Sequence, residues 1–503
     1  MAETVSYRDE KVKKITTTLD SLPFCTDDEI AQQLKNNTRR LPDGVTRRMI
    51  LRDIFVIAWP AIIELALLTL ASMVDLMMVG NLGPWAITAV GLASQPRMIF
   101  ISIFQSLNVG ATAYIARARG AEDRKLANSY LQQAMLFNFF FSIVLGVAGY
   151  VFSEQMIRAM GAPDAQTLYA GTQYIRVQCA GMLLYGVTMT ISASLRGVGN
   201  TQTTMVYNVV ANVVNIFANY LLIEGHLGFP RLEVLGASVA TLIGQAAATV
   251  MAIIVIFRKR NYVFLEYRKG FRVRFDMIRD ILVIGIPAMI EQLCLRFSAI
   301  MFNRWIAQLG TLEFAAHQVC MNIQMMSMTN GVGFAHSGTT LMGQSIGRRR
   351  PEMSQAYTRS CAAISLVVSV MLAILFFTCG GAMSRWYTDD PVVLERCAEL
   401  FVVVAVIQPF LALQFTVAGS LRGAGDTKAV TIITFSTCVI LRLILVYLAI
   451  NVLHWGVVGA WWGMLGDQVT RAVLIWLRFT NGRWKKVFSR MIHRPDGPAP
   501  DAG

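Results

Sequence analysis

The sequence predicts an all-α membrane protein with twelve transmembrane helices, arranged as two parallel six-helix repeats that form two lobes. Three observations lead to this prediction. Apolar residues make up 55% of the 503-residue chain and charged residues only 15%, whereas soluble proteins average about a quarter charged. Many apolar runs reach the roughly 20 residues that a helix needs to cross a bilayer. Finally, one short stretch occurs twice.

The repeated stretch and several other motifs indicate an internal duplication. The chain contains LRGVGNT at residues 195–201 and LRGAGDT at residues 421–427, 226 positions later. A Pro-Ala pair with a nearby glutamate also recurs at a spacing of 227, as Pro60 with Glu64 and Pro287 with Glu291. A constant spacing over such a distance indicates two copies of one unit, each about half the chain.

The apolar runs fall into two sets of six. An even number of spans in each half makes the two repeats parallel, related by an axis along the membrane normal. The predicted spans are 54–79, 91–115, 129–152, 170–194, 204–223 and 236–257 in the first half, and 278–308, 316–345, 358–380, 398–418, 430–452 and 458–478 in the second.

Lysine and arginine concentrate in alternate connections between the spans, which predicts the topology. Cytoplasmic connections of membrane proteins carry an excess of these residues, so both termini are expected in the cytoplasm. The first 50 residues lack the apolar core of a signal peptide. The predicted divisions are a polar cytoplasmic leader 1–50, an N-terminal lobe 51–257, a basic cytoplasmic linker 258–277, a C-terminal lobe 278–480 and a cytoplasmic tail 481–503.

Composition and missing motifs argue against several other functions. The formal charge of +14 comes from short basic segments between apolar runs, which indicates membrane topology and no binding of nucleic acid. The eight cysteines show no CxxC spacing, so we expect neither a metal site nor a disulfide framework. Phosphate-loop, HExxH and GxSxG motifs are absent from the sequence, so we expect no enzyme activity and no cofactor.

The two repeated stretches are interpreted first as structural turns and are called the signature turns. They open with Leu195-Arg196 and Leu421-Arg422. The glycines that follow are Gly197 and Gly199 in the first turn and Gly423 and Gly425 in the second. Glycine permits a tight reversal with positive φ, and the next Asn or Asp can cap the following helix. The arginines are interpreted as cations at a helix end, close to anionic lipid head groups.

Together, these motifs resemble the multidrug and toxic compound extrusion (MATE) family over about residues 50 to 480. The resemblance rests on the signature turns, on PAIIE at 60–64 with PAMIE at 287–291, on Val74-Asp75 before VGNLG at 79–83, and on AAHQ at 315–318. It implies a two-lobed secondary transporter of the cytoplasmic membrane, which we expect to be a monomer surrounded by membrane lipids. The resemblance also implies that the transporter exports small organic compounds, cationic or amphipathic, in exchange for protons or sodium ions.

Asp75 is the first candidate for coupling export to an ion. A charged residue deep in a bilayer costs about 2.5–3.5 kcal/mol, so it is expected to face a cavity or a partner; alternatively, Asp75 is a solvated helix-end residue. The resemblance places Asp75 in a cation site with Asn215, Asn219 and Thr241. The family has an aspartate where this chain has Asn219, which favours protonation of Asp75 over a tightly held sodium ion. The alternative interpretation of Asn215 and Asn219 is that they form ordinary hydrogen bonds between helices.

Four further polar residues are candidates for the substrate cavity. Glu64 and Glu291 each follow a helix-breaking proline by one turn, so each either holds a proton or a cationic substrate, or hydrogen-bonds backbone at the kink. Arg296 is expected to pair with an acid. His317 is either a cavity residue or a hydrogen bonder in the helix packing.

Two other functions fit the same architecture less well. A flippase for lipid-linked saccharides, from a related group, would show a large cationic cavity that runs toward the lipid, whereas acids in the spans favour coupling to a cation. A receptor or scaffold would need a soluble domain longer than any connection in this chain.

Overall fold

A computed structural model describes residues 17–26, 29–30, 41–162, 164–265, 272–388 and 390–485. Within these ranges the regular secondary structure is helical, and the long helices form twelve successive units. The first six are α1 (Arg47–Gly80), α2 (Pro84–Gly120), α3 (Arg124–Val151), α4a and α4b (Ala165–Ala180 and Met182–Gly197), α5 (Thr201–Leu222) and α6 (Glu233–Phe257). The second six are α7 (Phe275–Ala307), α8 (Thr311–Gly347), α9 (Pro351–Ser384), α10 (Pro391–Gly423), α11 (Thr427–Val452) and α12 (Gly456–Thr480).

The predicted all-α fold with twelve helices in two repeats is confirmed, and each unit contains one predicted span to within a residue at its ends. In the described part of the chain, nine helices are apolar and long enough to cross a membrane, and the bent pair α4a–α4b adds a tenth. The two remaining units are more polar: α8 carries His317 and α12 carries Asp467 and Arg471. The lobe boundaries themselves stay a prediction. The leader before residue 17, the linker at 266–271 and the tail beyond 485 lie outside the described residues.

Two interruptions of helix geometry have no clear signal in the sequence. The two parts of α4 meet at Gly181 with a bend of 50°, and a Cβ at Gly181 would lie 2.5 Å from Cδ1 of Leu242 in α6. Glycine therefore permits close packing of α4 on α6 at the bend. Helix α11 widens into π-helix at Phe435–Leu441 and Leu448–Val452, on either side of Arg442–Tyr447. Such widened turns often mark functional positions.

The signature turns form the predicted reversals, but their glycines have different tasks. Gly199 and Gly425 adopt φ of +86° and +79°, a conformation that favours glycine. The first glycine of each turn instead permits close packing, since a Cβ at Gly423 would lie 2.4 Å from the Thr339 carbonyl oxygen. Asn200 caps α5 as predicted. The predicted cap at Asp426 is wrong, because its carboxylate pairs with Arg478 at 2.7 Å.

The two repeats contact each other at the end that carries the signature turns. Gln344 Nε2 in α8 donates to the Gly197 carbonyl at 3.1 Å, and Arg117 Nη2 in α2 donates to the Gly423 carbonyl at 3.0 Å. The two hydrogen bonds are related by the duplication, so each repeat binds the signature turn of the other. The basic connections meet here as well, where Arg348 pairs with Glu122 at 2.8 Å. We call this the closed end.

Close glycine contacts make the closed end sensitive to added volume. A Cβ at Gly347 would lie 1.9 Å from the Arg117 carbonyl oxygen, so we expect Gly347→Ala to push α8 away from α2. Overpacking of this kind costs about 1–3 kcal/mol, which should lower the thermal unfolding midpoint of the purified protein. Gly381→Ala in α9 is the matched control, because nothing lies within 4 Å of its added Cβ. An equal midpoint for the two variants would contradict the close contact.

Candidate ion-coupling site and buried ion pairs

Asp75 and its predicted partners form one polar cluster between α1, α5 and α6. Asn219 Nδ2 donates to Asp75 Oδ1 at 2.5 Å. The Asn215 amide, oriented to satisfy both of its neighbours, donates to Asp75 Oδ1 at 3.0 Å and accepts from the Thr241 backbone N–H at 3.1 Å. The i, i+4 spacing of the two asparagines places both amides on the same face of α5. The structure thus brings the four predicted residues together, while their role in ion coupling stays a prediction.

The cluster combines one carboxylate with buried amide groups. Asn215 is 7% exposed and Asn219 is fully buried, whereas Asp75 is partly exposed. Hydrogen bonds to a charged group are stronger than those between neutral groups. The two amides therefore hold the Asp75 carboxylate in a fixed orientation. Among the described residues, Asn219 Oδ1 has no hydrogen-bond partner, so it can offer an oxygen atom beside the carboxylate. Arg97 in α2 supplies an attractive electrostatic interaction from the next helix.

Glu64 lies in a second polar cluster of the N-terminal repeat, toward the closed end. Its carboxylate accepts hydrogen bonds from Asn208 Nδ2 at 2.7 Å and Thr204 Oγ1 at 3.0 Å, and it lies 3.5 Å from Arg196 Nη1. Glu64 is 9% exposed. The interpretation of Glu64 as a bonding partner for kinked backbone is therefore wrong, because its partners are side chains.

The C-terminal repeat contains the corresponding pair. Glu291 accepts from Arg422 Nη2 at 2.6 Å and from Nε at 3.3 Å. Both signature arginines are largely buried, with side chains 12% and 13% exposed. The interpretation of Arg196 and Arg422 as lipid-facing anchors is therefore wrong. Each joins its signature turn to the proline-containing helix of its own repeat, and His336 in α8 lies within electrostatic range of both guanidinium groups.

The structure places the two remaining cavity candidates in different surroundings. His317 is fully buried in the C-terminal repeat, where its Nε2 contacts Asn303 Oδ1 at 2.9 Å and its Nδ1 accepts from Trp461 Nε1 at 3.2 Å. Both ring nitrogens are satisfied, so His317 is a hydrogen bonder in the helix packing. Arg296 lies on an exposed face of α7 and, among the described residues, forms no salt bridge with an acid.

The C-terminal repeat also contains a buried charge cluster that the sequence analysis did not predict. Asp467 in α12 is fully buried and its Oδ2 lies 2.6 Å from both Arg442 and Arg471. Arg442 is 6% exposed and is therefore held inside the helix packing by this carboxylate. A signal did exist in the sequence, since two adjacent predicted spans carry opposite charges, and charged residues in a membrane usually pair with one another.

Two parallel six-helix repeats around buried carboxylates define the class of membrane transporters that are built from internal repeats. The chain belongs to the MatE family, whose model matches residues 60–221 and 287–448. The two matched segments have equal length and follow the internal duplication. The resemblance to MATE transporters is thereby confirmed, and the protein is an integral membrane transporter of this family.

Curated relatives and solved structures agree with this assignment. The chain is 29% identical over 436 residues to the "Probable multidrug resistance protein NorM" of Thermotoga maritima, covering 86% of this chain and 93% of the relative. It is 26% identical over 434 residues to the "Uncharacterized transporter YisQ" of Bacillus subtilis, covering 86% and 94%. A solved outward-facing conformation of a multidrug resistance MATE family transporter of the MOP superfamily matches with a TM-score of 0.81 and 22% identity, covering 89% of this chain and all of that one.

Proposed function

We propose that the protein is a secondary antiporter of the cytoplasmic membrane, with both termini in the cytoplasm. It exports small organic compounds, cationic or amphipathic, in exchange for protons or sodium ions. The observation that carries the proposal is the Asp75 carboxylate, held between Asn215 and Asn219 inside the N-terminal repeat. The multidrug resistance proteins among its relatives support the substrate class.

The proposed mechanism is alternating access of the two repeats. A cation that binds Asp75 more tightly in one conformation than in the other shifts the equilibrium between them. Each monovalent cation that enters down a potential of 100 mV supplies about 2.3 kcal/mol, which supports a gradient of roughly fiftyfold for a neutral substrate. One carboxylate is therefore sufficient for useful export. The direct contacts between repeats at the closed end support a state in which access is blocked on that side.

Transport by purified protein in liposomes tests the proposal. We expect a fluorescent organic cation to move against its concentration gradient when a pH gradient or a sodium gradient is imposed, and to stop when a protonophore or a sodium ionophore collapses that gradient. Empty liposomes and liposomes with no gradient are the controls. Movement that ignores both gradients, or translocation of a lipid-linked saccharide in place of the cation, would contradict the antiporter proposal and favour the flippase.

A further inference from the structure

A segment of the leader lies across the closed end and contacts both repeats. We call residues 17–26 with 29–30 the leader segment. Leu19 and Leu22 are buried in an apolar cluster that joins α1 to α8 and α9. The other members of this cluster are Ile50, Ile54, Ile57 and Ala58 from α1, Phe334 and Leu341 from α8, and Met353, Tyr357 and Cys361 from α9. The leader segment therefore fills the apolar seam between the repeats.

The later part of the leader segment is fixed to the C-terminal repeat. Cys25 and Ile30 are buried in a cluster with Met342 and Ile346 of α8. Arg348 Nε donates to the Leu22 carbonyl at 2.8 Å, and Arg350 Nε donates to the Pro23 carbonyl at 2.9 Å. The Arg348 guanidinium also covers the Phe24 ring, at 4.2 Å from its centroid. Apolar burial, hydrogen bonds and a cation–π contact thus all attach this part of the leader segment to the C-terminal repeat.

The earlier part of the leader segment reaches the N-terminal repeat through two carboxylates. Asp20 Oδ2 lies 3.0 Å from Arg119 Nη2 at the end of α2, and the Thr18 backbone N–H donates to Asp53 Oδ2 in α1 at 2.8 Å. The Arg119 side chain is only 6% exposed, so water screens this pair little.

Two further contacts tie these residues to other parts of the closed end. Arg119 lies 4.6 Å from the ring centroid of Tyr262 in the linker, and burial raises the pKa of this phenol to about 12. The Asp53 carboxylate also accepts from Tyr357 of α9 at 2.6 Å. The leader segment therefore joins a network in which α1, α2, α9 and the linker meet.

We propose that the leader segment holds the two repeats together at the closed end and must release Arg119 and Asp53 before this end opens. The two sets of contacts differ in number and kind. Leu19 and Leu22 pack between both repeats. Beyond this shared cluster, the C-terminal repeat holds the segment through the burial of Cys25 and Ile30 and through Arg348 and Arg350, whereas the N-terminal repeat holds it through Arg119 and Asp53. Opening therefore leaves the segment on the C-terminal repeat. The consequence for transport rests on the proposed alternating access, but the contacts themselves do not.

Asp20→Asn tests this inference because asparagine keeps the capping oxygen that accepts from the Thr17 N–H while it removes the charge that pairs with Arg119. Spin labels are introduced as non-natural amino acids at Gln202 and Lys428, two exposed, duplication-related positions just after the signature turns. The distance distribution is measured in substrate-free vesicles without any gradient. We expect the fraction of molecules with widely separated labels to rise about tenfold, which corresponds to the loss of one charge-assisted hydrogen bond.

Asp43→Asn is the matched control, since Asp43 is an exposed leader acid whose loss changes the net charge equally. A second test reverses the pair: Asp20→Arg should separate the labels, and adding Arg119→Asp should restore the wild-type distribution. Equal distributions for wild type and Asp20→Asn would overturn the proposal. An equal shift in Asp43→Asn, or no restoration by the reversed pair, would also overturn it. Because no gradient is applied, these outcomes do not depend on whether the protein is an antiporter.

Discussion

Asp75→Asn is expected to abolish ion-driven export while the protein still folds and inserts. Removing a charge from a membrane span normally favours insertion, so expression should be normal or improved. A permanently neutral amide cannot bind and release a cation in each cycle, so the ion gradient can no longer bias the two conformations. Uptake of a fluorescent cation into inverted vesicles should fall to the level of vesicles without the protein, whichever gradient is imposed.

A nearby acid provides the control for this substitution. Glu224 follows α5, is exposed, and accepts a hydrogen bond from Asn81 at 3.1 Å at the end of α1. Glu224→Gln removes one negative charge from the same repeat without touching the Asp75 cluster, so export should remain near the wild-type rate. Wild-type transport by Asp75→Asn, with unchanged dependence on the gradient, would move the coupling site to Glu64 or Glu291.

Asp467→Asn is expected to cause the largest loss of stability. The substitution leaves the guanidinium groups of Arg442 and Arg471 buried without their shared carboxylate. Breaking a buried ion pair by removing one partner costs about 3–5 kcal/mol, because the remaining charge is uncompensated. We expect a strongly lowered thermal unfolding midpoint for the purified variant, and a reduced yield of folded protein from membranes.

The matched substitution lies in an exposed pair on α10. Arg396 and Glu399 lie 3.0 Å apart with side chains 43% and 44% exposed, and exposed pairs contribute about 0–1 kcal/mol. Glu399→Gln should therefore shift the midpoint little. Equal midpoints for Asp467→Asn and Glu399→Gln would show that the Asp467 cluster does not stabilise the C-terminal repeat.

The features that the sequence predicted depend on length, spacing and local chemistry. A duplicated motif is visible at any distance along the chain, and runs of about 20 apolar residues identify spans without knowledge of their neighbours. The Asp75 cluster belongs to the same group. Asn215 and Asn219 share a helix face by their spacing alone, and the family resemblance connected that face with Asp75 and Thr241.

The features that were missed depend on how neighbouring helices rotate and approach. Periodicity does not state which acid faces Arg196, so the pairing of the signature arginines with Glu64 and Glu291 appeared only in the structure. The sequence around His317 does not distinguish a side chain that lines a cavity from one that accepts a hydrogen bond from Trp461. The leader was interpreted as a polar extension because buried residues such as Leu19 and Leu22 are separated by charged and polar residues. Their burial is set by the seam between the two repeats.

The central claim, that Asp75 couples an ion to export, is tested most directly by driving the cycle in reverse. Liposomes containing the protein receive an outward or inward substrate gradient with no ion gradient, and the internal pH and internal sodium concentration are recorded with fluorescent indicators. We expect the wild-type protein to move protons or sodium ions opposite to the substrate, and Asp75→Asn to move neither. Substrate movement without ion movement in the wild type, or wild-type ion movement in Asp75→Asn, would contradict the claim.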